Sequence, residues 1–220
     1  MANVNTIGAP TVNPIHARAQ FQANIPGNLE AVHQPLYHYQ AYAAAGQNSL
    51  TFFQTPYGQL ANGIFDTNMT QPGQLPAPQQ FLLTGISVVF FPGVSPGAAT
   101  GAGPSEFIND VWAVGKTGIL TLNVLSKQYC QMAPLGEFSP DFRMDVSAAL
   151  SDTTTAGGNR LTEVSYASWV GPKFKVAPIM LLPSQNFSVT LTWPTVVALP
   201  STVAGRIGVK LEGTLYRAVG

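Results

Sequence analysis

The chain has 220 residues, ten basic and ten acidic, so its net charge is zero; 45% of its residues are hydrophobic and only 9% are charged. That hydrophobic content excludes a disordered chain, and the charge balance excludes one drawn as a whole to nucleic acid or anionic lipid. A globular domain commonly has about a quarter of its residues charged. Here Arg18, Glu30 and Asp66 are the only charges in the first hundred residues, and much of the surface is expected to be covered by further copies of the chain.

Residues 1–48 are expected to form an extended N-terminal arm. Asn, Gln, Pro and Ala dominate, Pro10, Pro14, Pro26 and Pro35 interrupt any period, and Phe21, Tyr37, Tyr39 and Tyr42 suit it to lie on a partner surface. The N-terminus lacks the basic and apolar regions of a secretion signal. Residues 49–220 are expected to form one domain, a size that all-β units reach. Ser49–Gln54 (SLTFFQ) reads as a short strand, residues 66–80 as a polar connection, and Gln80–Phe91 as a strongly apolar strand closed by Pro92-Gly93. Its apolar stretch, Phe81–Phe91, falls short of the roughly 20 residues a spanning helix needs.

A short helix is predicted over 105–114, with Ser105 as cap-type residue and Gly115 at its end. Gly118–Met132 reads as one long strand with Leu120, Leu122 and Val124 on one face. A second short helix is predicted over 140–150, with Ser139 as N-cap, Pro140 in its first turn and Asp141 at its positive end. Leu161–Trp169 and Phe174–Leu182 read as strands, the latter at an edge or break because of Pro178. The clearest alternation comes last. Phe187, Val189, Leu191 and Trp193 oppose Ser188, Thr190 and Thr192; Ile207, Val209, Leu211 and Leu215 oppose Arg206, Lys210, Glu212 and Tyr216, with Gly208 and Gly213 as bend or bulge sites. About eight strands and two short helices predict an all-β fold, an antiparallel jelly-roll β-sandwich of two four-stranded sheets. A seven-strand immunoglobulin-like sandwich is the rival.

Candidate chemistry is sparse, and no catalytic, cofactor-binding or metal-binding residues are assigned. His16, His33 and His38 all lie in the first 38 residues without zinc-site spacing. Asp141, Asp145 and Asp152 lack the spacing of a calcium loop. Gly97–Gly103 lacks the Lys-Ser/Thr of a phosphate loop. Lys173-Phe174-Lys175 reads as solvated lysines at a strand start, so no direct nucleic-acid binding is expected. Cys130 cannot form an internal disulfide and reads as a buried structural thiol.

LLPSQNFSVTLTWP (Leu181–Pro194), followed by RIGVKLEGTLYR (Arg206–Arg217), resembles the closing strands of jelly-roll capsid proteins of icosahedral viruses. FLLTGISVVFF (Phe81–Phe91), the helical insertion, GILTLNVLSKQY (Gly118–Tyr129) and APLGEF (Ala133–Phe138) are similar to structural proteins of tailless bacteriophages. The resemblance implies a non-enzymatic coat protein of the virion, made in the host cytoplasm, that self-assembles into trimeric capsomers of an icosahedral shell. A single roll fits the length better than a compact double roll. Other coat or vertex proteins are the implied partners. Without a basic arm, residues 1–48 are expected to run under neighbouring subunits or toward an internal virion membrane. The alternative is a β-sandwich carbohydrate- or receptor-binding module of a spike or tail, with Tyr166, Trp169 and Trp193 as an aromatic platform.

Overall fold

The computed structural model describes residues 29–94, 104–138, 143–152, 160–169 and 174–218. Eleven strands lie within them, in order β1 (Leu29–Val32), β2 (Leu36–Tyr42), β3 (Gln47–Phe52), β4 (Gln80–Phe91), β5 (Ile119–Val124), β6 (Lys127–Pro134), β7 (Arg143–Asp152), β8 (Arg160–Trp169), β9 (Phe174–Leu181), β10 (Phe187–Val197) and β11 (Gly205–Ala218). One helix, α1 (Pro104–Thr117), interrupts them between β4 and β5. Every paired strand is antiparallel to its neighbour.

The first sheet runs β1-β11-β4-β9, and β2 also pairs with β11. β2 takes the Gly205–Leu211 half of β11 and β1 takes Leu215–Ala218, so the two lie end to end along one side of it. The second sheet runs β3-β10-β5-β6, while β7 and β8 pair with each other. The pairings nest: β2 with β11, β3 with β10, β4 with β9, and β5 with β6 innermost.

Hydrophobic burial holds the two sheets together. Phe187, Val189, Leu191 and Trp193 of β10 meet Phe81, Leu83 and Ile86 of β4 and Ile207, Val209 and Leu211 of β11 in one core. Each such side chain contributes about 1.5–3 kcal/mol when fully buried. The period-two pattern of β10 therefore fixes its register, because a slip of one residue would turn this apolar row to solvent. The result is an all-β sandwich with one α-helix among the described residues.

Several expectations hold in detail. β4 spans the 80–91 strand, and α1 covers the 105–114 helix, running on through Gly115 to Thr117. β9 is an edge strand whose register against β4 shifts between Ile179 and Lys175, around Pro178.

Others are corrected. The helix expected over 140–150 is the strand β7 across Arg143–Asp152, paired along its length with β8; the expected cap, Ser139–Asp141, lies outside the described residues. Cross-strand pairing overrides a helix-start signal that is only local. The single strand expected over 118–132 is a hairpin, β5 and β6, turning at Leu125 with φ of 54°. Residues 29–48, expected to have little regular structure, supply β1, β2 and the start of β3; residues 1–28 of the expected arm lie outside the described residues. Glu212 and Tyr216, expected to face outward, are only 4% and 3% exposed. They sit on the sheet's central strand, flanked on both sides, and Lys210 Nζ meets Glu212 Oε1 at 2.6 Å.

The two glycines of β11 differ. At Gly213 the register slips by one residue, with Thr84 of β4 as the extra residue; its Oγ1 donates to Glu212 O at 3.3 Å. A Cβ at Gly213 would overlap the backbone oxygen of Leu82, which cannot swing away. Gly208 is not a bulge. Its register is regular, and its missing side chain makes room for the Tyr39 ring. Gly213→Ala is expected to cost about 2–3 kcal/mol through overpacking, read as a lower urea midpoint with an unchanged slope.

Candidate interaction surface

The helix α1 packs against β4, β7, β10 and the turn at Leu135–Glu137. Pro104 begins it, a position where the ring costs no helical hydrogen bond. Two inward residues fix the helix. Asp110, fully buried, accepts from Ser201 N at 3.0 Å and from Ser201 Oγ at 2.6 Å. Val114 is buried, and its carbonyl accepts from Trp193 Nε1 at 2.8 Å. The opposite side carries Ile108, Val111 and Trp112, spaced i, i+3 and i+4 as one stripe. Trp112 is 67% exposed, and the other two are exposed as well. Exposed Val203 lies in the loop that Asp110 grips, and exposed Val196 follows Trp193 by three residues. A soluble helix normally turns its apolar stripe inward. This one is pinned with an apolar stripe outward.

A second apolar area covers the outer face of the first sheet. Tyr39 lies 6.3 Å from Phe91 and 6.0 Å from Tyr37, and the Arg206 guanidinium sits 4.4 Å above the Tyr39 ring, a cation–π arrangement. Arg206 also donates to Phe65 O at 2.5 Å and to Asp66 Oδ1 at 2.7 Å. Burial pushes the Asp66 carboxyl upward. Hydrogen bonds from Asn62 and Arg206, with the Arg206 charge, outweigh it and hold the group below the usual carboxylate range. Burial, with Tyr39 adding, pushes the Tyr37 hydroxyl upward. Tyr37 OH donates to Ile64 O at 2.6 Å. The side chains of Ile64 and Phe65 are exposed beside this cluster.

A cavity of about 170 Å³ opens near β1, with Leu36, Met69 and Leu215 as its floor and Gln34, Gln74 and Arg217 around it. Ligand sites usually enclose about 300–1,000 Å³, and Arg217 is held by Glu30 at 2.6 Å.

Among the described residues, those weighed for chemistry lie on separate elements. His33 is exposed and His38 is buried in β2, while His16 lies outside the described residues. Asp145 and Asp152 lie in β7 opposite Ala167 and Arg160, and Asp141 lies outside. Gly97–Gly103 and Lys173 also lie outside. Phe174 packs its ring 4.5 Å from Phe138, so it is not a free stacking surface. Cys130 sits in β6 opposite Leu122. Of the expected aromatic platform, Tyr166 and Trp169 lie in β8 and Trp193 is core. Among the described residues no group of three or more His, Cys, Asp or Glu could hold a metal, and no helix is long and apolar enough to cross a membrane. The anchors of α1 escaped sequence reasoning, since Asp110 and Ser201 are 91 residues apart. The Ile108, Val111, Trp112 spacing was the one visible sign. No protein-family model, no curated protein and no solved structure matches this chain.

Proposed function

We propose that this chain is a single jelly-roll coat protein that self-assembles into the capsomers of an icosahedral virion shell. Four nested antiparallel pairs describe a long hairpin of eight strands. Closing β11 onto β4 and β10 onto β5 folds that hairpin into two sheets, an order that supports the jelly-roll reading. Eight strand positions serve one roll, with β7–β8 as an added hairpin between β6 and β9; a double roll needs about twice as many. The coat reading rests on this order together with the capsid-like sequence segments.

One observation carries self-assembly: α1, anchored through Asp110 and Val114, presents Ile108, Val111 and Trp112 outward on a chain that is sparsely charged and has no net charge to keep copies apart. Its function is burial of apolar and neutral surface between copies, with no chemical step. Trimeric capsomers, contacts with other coat or vertex proteins, and a role for residues 1–28 beneath neighbouring subunits or at an internal membrane belong to the same proposal.

Light scattering after size exclusion, with negative-stain microscopy of each peak, tests it. Trimers, pentamers or shells are expected. Trp112→Ser is expected to weaken association by about 2 kcal/mol or more, as loss of a buried aromatic anchor does, and to leave stability within about 0.5 kcal/mol because the residue is exposed in the subunit. A 23.3 kDa monomer at high concentration overturns the proposal. A glycan array separates the carbohydrate-binding alternative: a dose-dependent hit favours the module, and a shell protein shows none.

A further inference from the structure

The connection from β3 to β4 leaves the sandwich at Phe53 and runs back along the free side of β2. Tyr39 N donates to Asp66 O at 2.6 Å, Thr67 Oγ1 donates to Tyr37 O at 2.9 Å, and Asn68 joins Tyr37 N and Pro35 O at 3.0 and 2.8 Å. This excursion thereby covers the backbone edge that β2 would otherwise expose. It also carries Ile64 and Phe65 to the surface.

One side chain ties its root. His38, on β2 and 1% exposed, accepts from Phe53 N through Nδ1 at 2.7 Å. Phe53 has a φ of 69°, an uncommon conformation for a bulky residue, and its ring and that of Phe52 stand edge-on to the imidazole at 5.9 and 5.8 Å. His38 Nε2 has no hydrogen-bond partner among the described residues. An Nδ1 that accepts must be unprotonated, so the buried ring is neutral with its proton on Nε2. A second proton would abolish the Phe53 bond and leave a charge between two phenyl rings.

We propose that His38 is a proton-operated latch: the neutral ring holds residues 53–69 against β2, and protonation releases them. The charged groups on the elements packed around it are few. β2, β3 and β10 bring no Asp, Glu, Lys or Arg; the excursion brings Asp66, and β11 brings Arg206, Lys210, Glu212 and Arg217. Burial pulls His38 from 6.5 down to about 4, against the opposing pull of Asp66. The opened ring, back in water, takes up its proton near 6.5. Hence the latch is fully closed above that pH, and its stabilisation falls as pH drops from 6.5 toward 4, about tenfold per unit. The chain gains an acid-sensitive segment whose release draws Phe53 and Met69, buried at its two ends, out of the core.

Hydrogen exchange of the full chain, followed by mass spectrometry and corrected for the intrinsic pH dependence of exchange, tests this. Protection of peptides spanning 53–69 is expected to fall about 40-fold from pH 6.5 to 4.5, while β5 and β10 keep theirs. His38→Asn supplies a non-titrating acceptor near the Nδ1 position and is expected to lose the acid dependence. Equal protection of 53–69 at both pH values overturns the latch, as does an unchanged acid response in H38N. If H38N does not fold, NMR titration of the His38 ring decides. A midpoint well below 6.5 that tracks the loss of protection supports it; ordinary titration near 6.5 with protection intact overturns it.

Discussion

Trp193→Ala is expected to lower the unfolding free energy by about 3–5 kcal/mol, the usual range for truncating a buried aromatic. Trp193 is 2% exposed, stands edge-on to Tyr42 at 5.7 Å, and donates its indole N–H to the carbonyl of Val114. Its loss opens a cavity between the sheets and strips a buried carbonyl of its donor, two separable costs. Trp193→Phe retains most of the volume and removes only the donor, so it should cost less, about 1–3 kcal/mol for the unsatisfied group plus the smaller void. Urea unfolding followed by circular dichroism reads both. Equal losses for Ala and Phe would mean that the hydrogen bond to α1, and not the core packing, is what Trp193 supplies.

The legible parts of this fold are those where one face of a strand is buried and its side chains are apolar. FSVTLTW reads as β10 because Phe187, Val189, Leu191 and Trp193 all enter the core. β2 obeys the same geometry with misleading chemistry. In LYHYQAY the inward positions include His38, while Tyr37 and Tyr39 face outward, so hydropathy shows no alternation. The β5–β6 turn was hidden for a different reason. Leu125 adopts a positive φ without Gly or Asn to announce it, and its N–H donates to Asn186 O at 2.8 Å, a partner remote in sequence. β7 was misread because Ser139-Pro140-Asp141 resembles a helix cap, whereas the strand is decided by a partner near residue 165. The candidate surface was half legible. Spacing alone exposes the α1 stripe, but which side faces out depends on Asp110 finding Ser201 across 91 residues.

That dependence makes Asp110→Ala the sharper test of how fold and association are linked. The substitution leaves the Ser201 amide and hydroxyl without their acceptor inside a dry site, and hydrogen bonds to a charged group contribute about 1.5–3 kcal/mol. A loss of about 2–4 kcal/mol in urea unfolding is expected once the desolvated donor is included. Asp110 and Trp193 both hold α1, one through the loop before β11 and one through β10, so their effects should not add. A double-mutant cycle between D110A and W193A is expected to show coupling of about 0.5 kcal/mol or more. Additive losses would mean that α1 is held at two independent points. The association data then complete the argument. W112S retains the anchor and removes the outward contact, whereas D110A retains the contact residues and frees the helix that aims them. Both are expected to reduce assembly, but only D110A should reduce subunit stability. If D110A assembled as well as the parent chain, the orientation of α1 would be irrelevant to association, and the copies would have to meet elsewhere, with the Tyr39, Phe91 and Phe65 face of the first sheet as the next surface to alter.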